Sequence, residues 1–361
     1  MPYTLDERLA RLKQRRFDPA LLDKSTRVLE EAYLKRATNT ATLYALGSMQ
    51  EVNPRSTEIS IEESDKVQST LKDGLKHHEL YPSFRRQGSV PLNVHIYGGS
   101  DVDLLVLEGA YLQFERCADS NKTYSPYTGR GTLIDDVLHL RAKSIEVLNA
   151  RYWGAKVDTT PAKCVELSEG GFRRKVDVVP SHWHDGANFQ RSLEETIRGV
   201  VLVDRKTRES IRNYPFLYMA HINFKNERTA GGTKMSVRLV KNLKNDTSTD
   251  IELSSYDIGA LIYHCPEAYI QYVPERDLQI MNGTERWFYE LSQNKQMAMA
   301  LNTPDNTRKI IDSEEKWKGL GLMAMELANL SIQIASETLP SHLNQQQIRE
   351  HLQDRLIPMV A

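Results

Sequence analysis

The stretch Arg85–Val106, RRQGSVPLNVHIYGGSDVDLLV, places two aspartates, Asp101 and Asp103, directly before an apolar run. Burying an ionised carboxylate without a partner is costly, so aspartates normally avoid the start of a buried strand. Leu104–Leu107 is an apolar run typical of a central strand. Either a turn holds both carboxylates in solvent, or a cation binds between them.

The spacing of the two aspartates favours a cation. On a strand, side chains alternate between faces, so Asp101 and Asp103 point to the same side. Two such carboxylates raise each other's pKa unless a cation joins them. Mg²⁺ suits this arrangement, because it takes one or two carboxylates and fills its other positions with water and substrate phosphates. Taken alone, however, an Asp-x-Asp pair among turn residues is more often a solvated turn.

A third aspartate lies in the segment RRKVDVVPS (Arg173–Ser181). This segment reads as a short strand, in which Asp177 is flanked by valines that point to the opposite face. An aspartate in mid-strand needs a partner, and a metal held by an adjacent strand would supply one. The alternative is a salt bridge to one of the three preceding basic residues, Arg173–Lys175.

A glycine and a serine, Gly88 and Ser89, precede Asp101 by about a dozen residues. At a turn, Gly-Ser lets backbone N–H groups approach a phosphate closely, and the hydroxyl adds a donor. The dipeptide alone says little. Together with the aspartate pair and the later Asp177, it describes a two-metal nucleotidyl-transfer site, in which one ion activates a hydroxyl and the other holds a triphosphate.

This set of motifs resembles the DNA polymerase β-like nucleotidyltransferase superfamily. The resemblance extends into YPFLYMAHINFKNERTAGGTKMSVRLVKNLK (Tyr214–Lys244) and LSSYDIGALIYHC (Leu253–Cys265), which are similar to the cGAS and oligoadenylate-synthase branch with its bacterial anti-phage cyclases. It implies catalytic and metal-binding roles for Asp101, Asp103 and Asp177, two Mg²⁺ or Mn²⁺ ions, and NTP substrates. Similarity at the level of motifs runs from Gly88 to Cys265.

In the second half, the resemblance implies nucleotide contacts from Lys241, Ser255 and Tyr256: Lys241 and Ser255 to phosphate, and Tyr256 to a base. Ser255 follows a capping-box pattern, Ser254-x-x-Asp257, and a capped helix N-terminus is an anion site. A packed aromatic remains the alternative for Tyr256.

Lys241 shares a predicted helix with Arg238 and Lys244, at i, i+3 and i+6. The three form a basic stripe. For Arg238 and Lys244 we expect an ordinary solvated face.

Some sequence features depart from the patterns common in this family, and they narrow the type of enzyme that we expect. The segment after Ser89, VPLNVHIYGG (Val90–Gly99), is not of the Ala-Arg-Gly-Thr type common in relatives. The zinc-containing insertion of animal cGAS is missing, since the three cysteines lie far apart in the chain, so we expect no dependence on long nucleic acid. A regulatory protein partner is compatible with this expectation. No P-loop or dinucleotide fingerprint is present. The His-x-His in SHWHD (Ser181–Asp185) lacks a third zinc ligand and is interpreted as a polar loop.

Composition points to a soluble protein. Among 361 residues, 40% are hydrophobic and 26% charged, and the net charge of −1 provides no basic field for a nucleic-acid polymer. The separated cysteines suit a reducing compartment. The charged N-terminus has no signal-peptide core, and no apolar run would span a membrane. We therefore expect a cytoplasmic protein.

The pattern of predicted elements indicates an α+β, bilobed protein: a mixed sheet in a catalytic core, residues 1–200, and a mainly helical nucleotide-binding lobe, residues 201–361. Predicted strands are Val94–Tyr97, Asp101–Leu107, Ala162–Ser168, Phe172–Ser181 and the start of Val200–Ile211. Predicted helices are Ser25–Met49, Ile59–His78 (largely solvated), Thr132–Ala150, Lys234–Lys244, Ser254–Cys265, Glu285–Ala300, Gly319–Glu337 and Gln345–Leu356. Asn121–Gly131 is a predicted loop.

The expected function is metal-dependent joining of NTPs, with release of pyrophosphate, into a cyclic di- or trinucleotide for anti-phage signalling. The alternatives are addition of a nucleotide to an RNA 3′ end or to a protein, and an inactive nucleotide-binding scaffold. The balance of 47 basic and 48 acidic residues argues against an extended basic surface that would bind RNA. Three mutually repelling carboxylates argue against a scaffold that only binds.

Overall fold

A computed structural model describes residues 3–16, 33–125 and 131–338, apart from the side chains of 110–112 and 338. The helices are α1 Leu5–Arg16, α2 Thr40–Met49, α3 Pro54–Lys76, α4 Leu133–Arg151, α5 Ala187–Ser192, α6 Pro215–Arg228, α7 Gly232–Asp246, α8 Ser255–His264, α9 Asp277–Gln293, α10 Lys295–Ala300 and α11 Glu314–Thr338. The strands are β1 Ser83–Gln87, β2 Val102–Phe114, β3 Lys156–Asp158, β4 Val165–Ser168, β5 Val176–Asp185, β6 Gly199–Asp204 and β7 Glu209–Asn213.

The chain divides into two compact units. The sheet unit contains Pro54–Leu92 and Gly99–Ala220. The helical unit contains the described residues up to Asn53, the short segment Asn93–Gly98, and those from His221 onward.

This division differs from the predicted boundary at residue 200. The N-terminal helices belong with the C-terminal ones, and α6 begins in the sheet unit. Local patterns carry no signal for contacts between segments so far apart in the chain.

The sheet unit is built around one mixed sheet. Its strand order is β1-β2-β5-β4-β3, with β6 paired to β5 and β7 to β6. β2 and β5 are parallel, and the other pairs are antiparallel. The predicted hairpin β4–β5 and the predicted helix beginning after Thr132, which caps α4, are both confirmed.

Alternation along β2 divides its side chains between two cores. Leu104 and Val106 pack with α3, α4 and the valines of β5 on one face. Leu105 and Leu107 lie on the other face with Val179 of β5. Because side chains alternate, Asp103 shares the second face.

Three expectations about the sheet unit and its surroundings are wrong. Val94–Tyr97 is not a strand; it lies in the irregular segment of the helical unit. Ser181–Asp185 is not a loop but the buried second half of β5. The third concerns α3, which buries a stripe that includes Ser56, Ser60 and Ser64, so it is not largely solvated. Small hydroxyl side chains fit a close packing face while lowering the hydropathy that sequence patterns measure.

Other expectations concern helices. Ser25–Met49 is not one continuous helix, because residues 37–39 are not helical before α2 begins. Residues 17–32 and the predicted helix Gln345–Leu356 lie outside the described residues. The predicted helices over Lys234–Lys244, Ser254–Cys265, Glu285–Ala300 and Gly319–Glu337 are confirmed as α7 to α11. No helix that the structure describes has the length and apolar character needed to cross a bilayer.

A buried carboxylate joins three elements of the helical unit. Asp246, at the end of α7, is fully buried. It accepts hydrogen bonds from Arg15 at 2.7 and 2.8 Å, from Tyr44 at 2.9 Å and from Arg11 at 3.3 Å. The charge of Asp246 therefore ties α1 and α2 to α7.

Asp246→Ala should strongly destabilise the helical unit. Removing the carboxylate leaves the buried Arg15 guanidinium without an ion-pair partner, with only the Asn242 side chain to accept its hydrogen bonds, which costs about 3–5 kcal/mol. Urea denaturation followed by circular dichroism measures the change, with exposed Asp250→Ala as the matched control, expected within about 0.5 kcal/mol of the parent. A loss below about 1 kcal/mol for Asp246→Ala would show that this network contributes little.

Candidate active site

The structure brings the three predicted aspartates together at one end of the β2–β5 pair. Asp103 lies in β2 directly opposite Asp177 in β5, because the two strands pair in parallel in that register. Asp101 precedes β2, and its side chain is 48% exposed. The valines on either side of Asp177 are fully buried on the opposite face, as predicted.

Asp101, Asp103 and Asp177 together form a cluster of acids, here named the carboxylate group. A lysine of the chain itself contacts this cluster. The Lys175 Nζ atom lies 3.2 Å from Oδ2 of Asp101 and 3.5 Å from Oδ1 of Asp177. Of the three basic residues before Asp177, Arg173 instead pairs with glutamates of α3, and Arg174 bonds to Ser56. The salt bridge considered for Asp177 is therefore present and belongs to Lys175.

The environment of the aspartates opposes their ionisation. Burial raises the pKa of Asp103 to about 6, and the charges of Asp177 and Asp101 add to the effect. Burial also raises the pKa of Asp177 to about 6, although the charge of Lys175 opposes the rise. Both carboxyls carry a free-energy cost when charged, which a bound cation would relieve.

The turn after β1 approaches the same carboxylates. Gln87, the last residue of β1, is in register with Asp103. Gly88 follows with φ +91°, and a Cβ atom built there would lie 2.5 Å from Oδ2 of Asp103. Glycine is required both by this backbone conformation and by the closeness of the carboxylate. Ser89 is half-buried in the same turn.

Two further polar residues border the site, and the sequence analysis missed both. Glu166 of β4 stands opposite Asp177, and Cys164, Glu166 and Asp177 place ligand atoms within 4.8 Å of one another. The Cys164 thiol, whose pKa burial raises to about 11, is a soft ligand that suits Mg²⁺ and Mn²⁺ poorly. The predicted hairpin was the available signal, since its facing strands carry Glu166 and Asp177.

In the helical unit, the basic stripe of α7 binds backbone oxygens. Arg238 donates to the carbonyls of Met49 and Asn93, both at 2.8 Å, and Lys241 donates to that of Val94 at 2.7 Å. Arg238 is 3% exposed and Lys241 8%. Buried irregular backbone needs such partners.

The expectation that Arg238 lies on a solvated face is therefore wrong. Lys244 is half-buried, and its ammonium donates a hydrogen bond to the Leu253 carbonyl. Burial lowers the pKa of Lys241 to about 8. Its ammonium is already committed to a carbonyl.

Another lysine of α7 differs from Lys241 in the contacts of its ammonium. Lys234, in the first turn, is half-buried. Its Nζ atom makes no hydrogen bond or ion pair with any residue that the structure describes. Burial and the charge of Arg238 lower its pKa.

The start of α8 matches its predicted pattern. Ser254 caps the helix, and the reciprocal bonds between Ser254 and Asp257 confirm the capping box. Ser255 is exposed in the first turn. The Tyr256 hydroxyl donates to Asp305 at 2.6 Å, and the guanidinium of Arg308 lies 5.6 Å from the ring centre.

Comparison with known proteins identifies the family. Residues 220–325 match the cGAS/DncV-like nucleotidyltransferase C-terminal helical domain. The cyclic dinucleotide synthase CdnE of Yersinia aleksiciae is 38% identical over 291 residues, which are 80% of this chain and 75% of that protein. The chain belongs to the cGAS/DncV-like nucleotidyltransferases. The predicted resemblance is thereby confirmed.

Further relatives agree with this family. A c-di-GMP synthase from a Lachnospiraceae bacterium is 29% identical over 234 residues, 58% of this chain and 65% of that protein. The structure of the STING-associated CdnE c-di-GMP synthase from Capnocytophaga granulosa superposes with a TM-score of 0.75 at 26% identity, covering 91% of this chain and 97% of that one. The bilobed α+β fold predicted for the chain is thus confirmed, and the protein is a nucleotidyltransferase of the cyclic-oligonucleotide-synthase type.

The carboxylate group fits the divalent cations that such a nucleotidyltransferase implies. Its donors are carboxylate oxygens, which Mg²⁺ and Mn²⁺ prefer. Oδ1 of Asp177 is buried and accepts no hydrogen bond from the described residues, and its one charged contact is Lys175 Nζ at 3.5 Å, which a divalent cation could replace. Lys175 already supplies positive charge at this point.

Asp103→Asn should have opposite effects on the activity and on the stability of this nucleotidyltransferase. Turnover should be abolished, and EDTA should abolish that of the parent reversibly. The free energy of unfolding of the metal-free variant should rise by about 1–3 kcal/mol, because a buried, mutually repelling charge is removed. Urea denaturation in EDTA and an NTP-turnover assay measure both effects.

The matched control is Asp101→Asn. It removes a carboxylate that is nearly half exposed, so its stability should change less. Undiminished turnover of Asp103→Asn would refute its assignment to the catalytic site.

Proposed function

We propose that the protein joins two nucleoside triphosphates into a cyclic dinucleotide, with release of two pyrophosphates, for use as a signalling molecule in defence against phage. The observation that carries this proposal is the register of Asp103 with Asp177, with Gly88 packed against the same carboxylate. The relatives named as cyclic dinucleotide and c-di-GMP synthases support the product, and the STING association named for one of them supports a signalling role.

The proposed mechanism assigns roles to residues of this chain. Asp101, Asp103 and Asp177 would hold two divalent cations, which when bound would supply positive charge to the attacking hydroxyl and to the triphosphate. The turn at Gly88 and Ser89 presents backbone N–H groups and a hydroxyl to a phosphate. In each step a ribose hydroxyl oxygen bonds to an α-phosphorus, and the bond from that phosphorus to the pyrophosphate oxygen breaks.

A second step of the same kind closes the ring. The linear intermediate still carries a triphosphate at one end and a free hydroxyl at the other. Attack of that hydroxyl on its own α-phosphorus releases the second pyrophosphate and leaves no terminal phosphate.

The product should therefore resist alkaline phosphatase. The pure protein, without nucleic acid, is incubated with Mg²⁺ or Mn²⁺ and each α-³²P-labelled NTP alone and in pairs, and products are identified by mass. GTP alone is the first condition to examine, since two relatives are c-di-GMP synthases. We expect label that phosphatase does not release.

Three other outcomes would each contradict the proposal. A ladder that lengthens with time indicates a polymerase. Label transferred to added RNA or to a protein indicates a tailing or protein-modifying enzyme. Absence of any product in the presence of both metals and all four NTPs indicates an inactive nucleotide-binding protein.

We further propose that Ser255 and a lysine of α7 contact the triphosphate, and that Tyr256 stacks on a base. Ser255 is supported by its exposed position in the first turn of the capped helix α8. For the lysine, the sequence favours Lys241, whereas contacts favour Lys234. Lys241 would have to give up its hydrogen bond to the Val94 carbonyl, whereas the Lys234 ammonium has no such bond to any of the described residues.

Lys234→Gln and Lys241→Gln form a matched pair that tests this choice. A charge-assisted phosphate contact contributes about 1.5–3 kcal/mol, so Lys234→Gln should raise the KM for NTP by roughly tenfold or more with the melting temperature unchanged. Lys241→Gln should lower stability by about 1–3 kcal/mol, since a buried carbonyl loses its donor, with little change in KM. The reverse pattern would restore Lys241 as the phosphate ligand.

A further inference from the structure

The carboxylate group contains a positive charge from the chain itself. Lys175, two positions before Asp177, places its ammonium among the acids. Lys175 Nζ lies within 3.5 Å of carboxylate oxygens from Asp101, Glu166 and Asp177. These oxygens are the ones that a divalent cation would also seek. An ammonium and a metal ion cannot occupy the same position among them.

Strand pairing holds Lys175 in this position. Its carbonyl accepts a hydrogen bond from the Val102 amide at 3.3 Å, immediately before the parallel ladder of β2 and β5. Lys175 lies two positions before Asp177, with only Val176 between them, so their side chains leave the same face of the chain. The Lys175 side chain is 29% exposed, which leaves room for it to move.

Glu166 extends the row of acids by one strand. It pairs with Asp177 across β4 and β5, as Asp103 does across β2 and β5. Its Oε1 atom lies 3.4 Å from Lys175 Nζ. Glu166 can therefore keep Lys175 as a partner when the aspartates turn to another cation.

We propose that Lys175 is a resident counter-ion of the carboxylate group, which a divalent cation displaces from Asp101 and Asp177, and that Glu166 retains Lys175 after the displacement. This inference rests on the proposed assignment of the three aspartates as metal ligands. Lys175 and Glu166 are positioning residues that set the affinity for metal. They are not ligands of it.

The consequence is a metal affinity lower than that of the three aspartates alone. Binding must break two ion pairs of Lys175 and must leave a positive charge close to the dication. In the metal-free protein, Lys175 offsets the repulsion among the acids. Removing its charge should therefore weaken the metal-free fold and strengthen metal binding together.

Direct Mn²⁺ binding, measured by electron paramagnetic resonance without nucleotide, tests this. Lys175→Met should lower the Kd for Mn²⁺ by about tenfold or more, as expected for loss of one nearby like charge. Lys175→Arg, which keeps the charge, should stay within about threefold of the parent. Lys156→Met is the matched control for net charge, because Lys156 is exposed on β3 in the same sheet unit, and its Kd should not change.

Lys175→Gln repeats the measurement with a polar side chain if the methionine variant does not fold. Equal Kd values for the Lys175 and Lys156 variants, with Mn²⁺ binding by the parent intact, would overturn this inference alone. If the parent does not bind Mn²⁺, or if Asp103→Asn binds it as tightly, the ligand assignment fails and the inference falls with it.

A double-mutant cycle separates the role of Glu166 from metal ligation. In the parent, Glu166→Gln should weaken Mn²⁺ binding several-fold, because displaced Lys175 has lost its remaining partner. In the Lys175→Met background the same change should have no effect. Equal weakening in both backgrounds would make Glu166 a metal ligand and would overturn its proposed role.

Discussion

The parallel pairing of β2 with β5 is the constraint on which the candidate active site of this nucleotidyltransferase depends. Its register places Asp103 opposite Asp177 and leaves their apolar neighbours, Leu104 and Val178, in the core on the other face. A slip of one residue would exchange these faces. The same apolar packing that stabilises the sheet therefore holds two carboxylates together against their repulsion.

The elements around this pair reduce the cost of that repulsion without removing it. Lys175 supplies one positive charge, whereas the turn at Gly88 packs against the Asp103 carboxylate without adding a charge. Both aspartates still have pKa values near 6, well above the usual value for an aspartate. The repulsion that remains favours the binding of a cation, because a metal ion bound between the carboxylates relieves it.

The helical unit shows the opposite use of charge. There Arg15 pairs with Asp246, Arg238 donates to the carbonyls of Met49, at the end of α2, and of Asn93, and Lys241 donates to that of Val94. These side chains hold irregular backbone in place. Lys234, with no partner among the described residues, is the exception that suggests a ligand contact.

The sequence alone determined the fold class and the family, and it singled out the three aspartates that the fold brings together. Short-range patterns sufficed, because an Asp-x-Asp before an apolar run, a flanked mid-strand aspartate and a Ser-x-x-Asp cap are each local features. The capping box at Ser254 and the hairpin of β4 with β5 were predicted from such features.

Only the tertiary structure decided what partners those residues have. It selected Lys175 from three adjacent basic residues, brought Glu166 beside Asp177, and buried Arg238 and Lys241 against the segment Asn93–Gly98, which had been expected to contain a strand. The partners of Arg238 and Lys241 lie more than a hundred residues away in the chain, and a lysine side chain is equally suited to solvent, phosphate or a carbonyl. Its role is decided by which oxygen the fold places within reach, and no local pattern records that.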